Sequence, residues 1–410
     1  MSIRQRLYPS PENEVVLTRH CSDSRFVYNL GLEQRKFYRS DRVTKINTAT
    51  QMRELTEARK SFSWLAEGSS SVQQAALRDL DRAFRNWWKN PGHFSHPTWR
   101  KAGLNEGFCV RDLSVRKLNR KWGEVLVPKA RWVRFRLSRP WAEIEASTSA
   151  RITLDRSGRW HVSFTQPQPQ LVRESTGAIV GLDMGIASTV TTSDGTHLKM
   201  PKLLSTGEIQ RKRRLQRKLS RQKKGSNRRA RTKLQIAKLC ARETDRRRDW
   251  IEKTTTKLVR SYDLIAVENL KVKNMSRSAK GTKENPGKNV TQKRGLNRSI
   301  SAQAWALFKK RLEDKAASAS SSVLVVPINP QFTSQTCPQC ERAAEGNRKN
   351  QAVFICINCG YSANADINAA QNILAAGLAV TGRGGTLQQK PIRAEHSGPV
   401  KRQLPEGSAA

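Results

Sequence analysis

Four cysteines constrain this chain more tightly than any other local feature. Cys337-Pro-Gln-Cys340 and Cys356-Ile-Asn-Cys359 are separated by fifteen residues. Paired C-x2-C turns at this spacing suit tetrahedral Zn²⁺ held by four thiolates. All four ligand positions are then protein, so the site is structural, a zinc ribbon, with Phe354 and Ile355 as its packing candidates. The other cysteines, Cys21, Cys109 and Cys240, are scattered. One metal site in a reducing compartment explains this usage better than a disulfide framework.

The ribbon interrupts an alternating pattern. Ala178–Asp183 reads as a buried strand, Ser188–Thr192 as its return, and Thr196–Lys199 as a third strand after the Asp194-Gly195 turn. A long basic helical stretch over about 206–260 follows, breaking near Gly225-Ser226. Leu264–Val267 is a fourth strand, 276–299 a polar mobile loop, 301–319 a helix and Val323–Val326 a fifth strand. After the cysteines comes a helix over about 365–377. Three antiparallel strands, helix, strand, helix, strand, helix is the ribonuclease-H-like plan.

Three acids stand at element junctions in that plan: Asp183 ends the first strand, Glu268 ends the fourth, and Asp366 opens the last helix. Singly they read as a turn residue, a solvated strand end and an N-cap. Together they read as one site, because converging carboxylates repel and need cations. Mg²⁺ takes few protein carboxylates and fills its shell with water and phosphate oxygens. Two such ions, or Mn²⁺ in their place, would stabilise the attacking and leaving oxygens of an in-line phosphodiester cleavage.

Charge points to the same substrate. Lys and Arg number 76 against 34 Asp and Glu, a net charge of +42, and self-repulsion on that scale calls for a polyanionic partner. At 37% hydrophobic residues the chain is nonetheless a folded protein, and 410 residues allow two or three domains. The densest run, 211–240, holds fourteen Lys and Arg and no acid. Leu215, Leu219, Leu234 and Ala237 leave it an apolar stripe, so it is expected to be a helical hairpin whose basic wall, beside the carboxylates, binds phosphates. No apolar run reaches the roughly 20 residues of a bilayer span, and no signal-peptide core opens the chain. The reading is a cytoplasmic protein with no membrane partner.

The first half differs in character. Residues 3–9 are expected to be a strand, and Ser10-Pro11 a helix start. A helix runs to about Arg39, with Phe26, Leu30 and Phe37 among its apolar positions. A second covers about 71–90, its stripe Val72, Ala76, Leu80, Ala83, Phe84 and Trp87. Runs at 125–128, 132–137, 151–154 and 160–164 read as strands of a small antiparallel β-domain, which the N-terminal strand would complete. Gln166–Gln170 is a linker, and the Gly/Pro/Gln-rich tail from 381 is disordered. Most of the ten Trp are assigned to the core, and some, Trp99 among them, to base stacking. No helix-turn-helix is recognisable.

Gly181-Leu-Asp-Met-Gly185, Ala266-Val-Glu-Asn-Leu270, Thr333-Ser-Gln-Thr-Cys-Pro-Gln-Cys340 and Asn364-Ala-Asp-Ile-Asn-Ala-Ala-Gln-Asn-Ile373 together resemble the TnpB family. These are RuvC-like nucleases of insertion-sequence transposons, related to type V CRISPR effectors. Tyr8-Pro-Ser-Pro11, Arg25-Phe-Val-Tyr-Asn29, Ser63-Trp-Leu65 and the Gln73–Trp88 helix extend the resemblance over about 1–375. It implies a wedge-type β-domain (1–10 and 100–172), an inserted helical recognition domain (11–99), a RuvC-like nuclease domain (175–334 and 361–380), a zinc ribbon insertion (335–360) and a tail (381–410). It further implies a guide (omega) RNA, a double-stranded DNA target beside a short adjacent motif, Asp183, Glu268 and Asp366 as the catalytic Mg²⁺ ligands, and Cys337, Cys340, Cys356 and Cys359 on zinc. The chain departs from the family where Glu341 stands in place of a frequent Gly, Glu252-Lys253 in place of a His-Lys pair, and Ala365 in place of a charged residue. An RNA-guided repressor without cleavage, a compact type V effector and a guide-independent nuclease remain the alternatives, and the oligomeric state is open.

Overall fold

The structure is a computed structural model that describes residues 2–38, 46–165 and 170–382. The Gln166–Gln170 linker falls almost wholly outside the described residues, as does the tail after 382. The chain divides into two units, Met1–Pro169 with Leu204–Arg242, and Gln170–Leu203 with Glu243–Ala410.

The first unit begins with β1 (Ser2–Tyr8) and α1 (Pro11–Lys36). Ser10 Oγ accepts from Asn13 N at 3.2 Å, and Pro11 opens the helix without losing a hydrogen bond. Helices α2 (Thr48–Ser61), α3 (Ser63–Ala66) and α4 (Ser70–Lys89) follow. Then come β2 (Gly107–Val110), β3 (Val115–Lys117), β4 (Trp122–Val127), β5 (Arg131–Arg136), α5 (Trp141–Glu145), β6 (Ser149–Leu154) and β7 (Trp160–Thr165). The strands form one antiparallel sheet in the order β2-β6-β7-β1-β5-β4-β3. The N-terminal strand sits inside it, pairing with β7 from Ser2↔Thr165 to Arg6↔His161 and with β5 at Leu7↔Phe135. Leu7, Phe108, Phe135, Ile152 and Phe164 are fully buried with Leu17 and Val72 of the helices. Each such side chain contributes roughly 1.5–3 kcal/mol.

One expectation about this half is corrected and one is refined. Phe26, Leu30 and Phe37 are exposed; α1 buries Leu17, Cys21, Val27, Tyr28 and Leu32 instead, because its inner face must meet both the sheet and α4. The tryptophans divide: Trp87, Trp141 and Trp250 are partly buried against the cores. Among the described residues Trp160 and Trp305 are buried, while Trp64, Trp88 and Trp99 are exposed. Indole is amphipathic and too large to bury fully at most sites.

The basic stretch is a hairpin of α6 (Thr206–Arg221) and α7 (Asn227–Ser261). Gly225 makes the turn at φ +86°, a conformation cheap only for glycine, and Ser226 Oγ accepts from Arg229 N. The hairpin belongs with the first unit as far as Arg242, and α7 continues into the second.

The second unit contains β8 (Ile179–Asp183), β9 (Val190–Thr192), β10 (His197–Leu198), β11 (Leu264–Glu268), α8 (Val272–Met275), α9 (Val290–Gln303), α10 (Trp305–Ala317), β12 (Leu324–Ile328), β13 (Val353–Ile355), β14 (Ser362–Asn364) and α11 (Ala365–Thr381). Its sheet runs β10-β9-β8-β11-β12, with β8, β11 and β12 parallel. One face packs on Ile251, Leu258, Ile300, Trp305, Phe308 and Leu312; the other packs on α11 through Ile373, Leu374 and Leu378. The loop expected over 276–299 is helical from Val290, and the following helix starts at Trp305, not 301. Ala304 in left-handed conformation (φ +55°) separates the two. Helix α9 buries only Ile300. It is tied instead by Lys293 Nζ to Met275 O and by Asn297 Nδ2 to Ser276 O and Arg277 O. A helix held by polar ties carries no apolar period.

Candidate active site and metal centre

Strand alternation decides where the acids point. In β11, Ile265 and Val267 face one side, while Leu264 and Ala266 pack under α11, so Glu268 belongs to the α11 side. In β8, Ile179 packs with that same cluster and Gly181 lies directly under the helix; Asp183 follows on the same face. The parallel register pairs Val267 with Leu182, and the next step brings Glu268 level with Asp183.

Helix α11 supplies the third acid by running back over the sheet. A Cβ on Gly181 would stand 2.1 Å from Ala370 O, and one on Gly377 would stand 2.6 Å from Ala266 Cβ. Two glycines therefore let helix and strands approach closely, with the helix N-terminus over the strand ends. Asn364 caps that N-terminus, its Oδ1 accepting from Asp366 N at 3.0 Å and Ile367 N at 3.2 Å. The cap is thus Asn364, and the Asp366 carboxylate is left for other work. Glu268 is no solvated strand end either, at 6% exposed.

Burial, together with the charges of Glu268 and Asp366, pushes the Asp183 carboxyl up to about 7, against the opposing charge of Arg348. Burial also raises Glu268, opposed by the hydroxyl of Thr333. Buried carboxyls raised in this way, Asp183 partly by its acidic neighbours, form a site short of positive charge. Arg348 provides part of it, its Nη2 lying 3.3 Å from Asp366 Oδ1.

Other partners escaped the sequence reading. Thr333 Oγ1 donates to Glu268 Oε1 at 3.0 Å. Asn372 Nδ2 donates to Thr333 O at 2.8 Å and Thr336 O at 2.7 Å, and Asn368 Nδ2 to Thr336 O at 3.1 Å. Two buried asparagines of α11 thus fix the segment that leads from Glu268's partner into Cys337. All three residues lie within the quoted motifs, where polar residues amid an apolar helix were the available signal. Arg348 had none.

The cysteine cluster is tighter than the acids. The four Sγ atoms lie within 4.8 Å of one another, and no other group of three or more His, Cys, Asp or Glu among the described residues is drawn so close. Cys337 and Cys359 Sγ are 3.6 Å apart, Cys340 and Cys356 Sγ 3.5 Å. A Zn–S bond of about 2.3 Å in a tetrahedron puts sulfurs about 3.8 Å apart, so the quartet fits zinc in donor type and spacing. Phe354, fully buried, packs beside Cys337 and Cys356; Ile355, expected to share that role, is exposed. Glu341 follows the second cysteine at φ +59°, a left-handed conformation that glycine adopts most easily.

A mixed α/β fold with a parallel-stranded sheet, an acidic site under one helix and a zinc-ribbon-like cluster defines the class. A family profile described as "Probable transposase", of the IS605 OrfB type, matches residues 161–279. One described as "Cas12f1-like, TNB domain" matches 305–373. A "Helix-turn-helix domain" profile matches 1–42, correcting the expectation that no such region is recognisable; its described part is β1 followed by α1. The chain is 35% identical over 395 residues to "Putative RNA-guided DNA endonuclease InsQ" of Escherichia coli (strain K12), covering 95% of this chain and 96% of that one. It is 32% identical over 389 residues to "Putative RNA-guided DNA endonuclease" of Streptomyces pristinaespiralis, covering 93% and 90%. A cryo-EM structure of a Cas12f1–sgRNA–target DNA complex shares the fold, with a TM-score of 0.56 at 14% identity over 87% of this chain and 81% of that one. The chain belongs to the TnpB (IS605 OrfB) family.

Proposed function

We propose that the chain is an RNA-guided DNA endonuclease of an insertion sequence. In this reading a bound guide RNA selects double-stranded DNA beside a short adjacent motif, and a RuvC-like site on the second unit hydrolyses phosphodiesters. The sheet of the first unit is its wedge domain and the α1–α4 block its recognition domain. Asp183, Glu268 and Asp366 would hold two Mg²⁺ ions. The observation that carries the reading is the placement of Asp183 and Glu268 at adjacent strand ends on the face covered by α11, whose first turn carries Asp366. The names of the full-length relatives agree with it.

Each group in the site has a task. Asp183, Glu268 and Asp366 would hold the ions as carboxylates, and Asp183 and Glu268, whose protons burial favours, would release them to do so. Bound Mg²⁺ would supply an activated water and offset the charge of the phosphate oxygens. Thr333 orients Glu268, and Arg348, freed from Asp366, would turn its guanidinium to a phosphate oxygen. The four cysteines would hold zinc, which would brace the segment from which Thr333 and Arg348 project.

Asp183→Asn and Glu268→Gln should each lower cleavage of guide-matched DNA in Mg²⁺ by about 10²–10³-fold, with guide RNA binding unchanged. Full cleavage in both would overturn the assignment. The Arg348–Asp366 ion pair favours a second reading, a nucleic-acid binder with inert acids. Tight target binding by the wild-type chain in Mg²⁺, without scission, would select it.

A further inference from the structure

The α6–α7 hairpin holds a cleft that the nuclease reading does not use. Antiparallel helices joined by a short turn ordinarily meet through apolar side chains, yet α6 buries none. A cavity of about 830 Å³ lies between the arms instead, lined from α6 by Arg214, Arg217, Lys218 and Arg221 and from α7 by Arg228 and Arg231. The α6 positions are spaced three, one and three, so they form one helix face. Thr232 and Gln235 continue the face of Arg228 and Arg231 with the same spacing.

Six cations with no acid among the lining residues should drive the arms apart. Like charges facing one another across so narrow a gap repel. The arms are nevertheless braced at both ends. Near the turn, Arg229 Nη1 donates to Leu219 O and, at 3.0 Å, to Gln222 O. At the open end, Arg242 Nη1 lies 2.6 Å from Glu208 Oε1. A cationic cleft whose arms are held together against their own charge is built for an anion. A lone phosphate would leave most of six charges unneutralised, so the anion is a chain of phosphates. A cleft of this volume is the size of a small-ligand pocket, which suits a few nucleotides of one strand and not a duplex. It has no aromatic lining, so it grips backbone and leaves the bases free.

The uncharged lining residues distinguish the sugar. Gln222 Oε1 is buried with no hydrogen-bond donor in reach, and Thr232 and Gln235 add polar atoms beside it. A deoxyribose–phosphate backbone has no donor to offer, whereas a ribose 2′-hydroxyl does. We propose that the α6–α7 cleft is a sequence-independent clamp for the ribose–phosphate backbone of a single-stranded RNA segment. It rests on the RNA-guided reading only for which RNA fills it.

The test uses the full chain with fluorescent oligouridylate and oligodeoxyuridylate, which differ only in the 2′-hydroxyl, and neither target DNA nor metal. Binding is followed by anisotropy over a salt series. The wild-type chain should prefer the ribo-probe. The combined Arg217→Gln, Arg221→Gln and Arg231→Gln variant should lower the slope of log affinity against log salt by about 2, near 0.7 per lost contact. Gln222→Met should keep the slope and lose the ribose preference. An unchanged slope overturns the clamp, and equal binding of both probes by the wild-type chain overturns the RNA assignment. Arginine-selective modification of the wild-type chain, read by mass spectrometry, guards against misfolded variants: oligouridylate should protect Arg214, Arg217, Arg221, Arg228 and Arg231, and equal modification with and without it refutes the proposal. Because no cleavage is read, the clamp can stand where the nuclease reading fails, and the reverse.

Discussion

Gly181 shows how much can rest on a missing methyl group. It lies within the motif that ends in Asp183, and its role is contact and not turn-making: any Cβ would collide with Ala370 O and Leu374 N of α11. Gly181→Ala should push the helix off the sheet and carry Asp366 away from Asp183. Overpacking of this kind destabilises by about 1–3 kcal/mol, so a thermal melt should fall by several degrees, and cleavage should fall further than the melt explains. A variant that melts and cleaves like the parent would contradict this. His161 sets a second residue-level expectation. Burial, then the charge of Arg4, hold its imidazole down at about 4, against an ordinary 6.5, with Arg4 Nη2 at 2.9 Å from Nδ1. The fold therefore favours the neutral ring. Stability present above pH 6.5 is lost as pH falls toward 4, because the unfolded chain takes the proton first. Urea midpoints at pH 7 and 4.5 should converge in His161→Gln relative to the parent.

At the scale of elements, α11 carries the most. One of its sides packs on β8 and β11, its N-terminus presents Asp366, and Asn368 and Asn372 hold the segment before Cys337. Asn372→Leu removes both donors of its amide and strands the Thr333 carbonyl, while Thr336 O keeps Asn368, a loss of about 1–3 kcal/mol. The denaturation midpoint should drop accordingly, and cleavage should weaken as Thr333 loses its grip on Glu268. An unaltered midpoint would mean that the asparagine clamp is not structural. This level also divides what sequence reading reached from what it missed. Helix α4 was legible because its apolar residues recur at three and four; α9 was not, because Lys293 and Asn297 hold it through backbone carbonyls. The hairpin break was legible at Gly225-Ser226 because only glycine sits easily at φ +86°. The exposed side of α1 was not, since Phe26 and Leu30 look as apolar as Val27 and Leu32.

For the whole molecule, net charge governs behaviour in solution. At +42 the nucleic-acid-free chain repels itself, and salt screens that repulsion within about 10 Å at 0.1 M. Its melting temperature should therefore rise between 50 and about 500 mM NaCl, while affinity for nucleic acid falls over the same range. A melt that declines with salt would show that specific ion pairs outweigh the net field. Shielded pairs such as Arg173–Asp263 are too few to reverse the sign.

The sequence by itself determined the five strands of the second unit's main sheet and its last helix, the cysteine quartet, the three acids at element ends and the polyanionic character of the partner. Each of these is written in local spacing or in composition, which need no knowledge of what packs where. Tertiary structure decided the rest. It put Asp183 and Glu268 on one face of the sheet, brought Arg348 and Thr333 to them, and opened the cleft between α6 and α7. Those outcomes depend on how close two elements approach and which side chains meet across the gap, and residues distant along a chain carry no mark of that meeting.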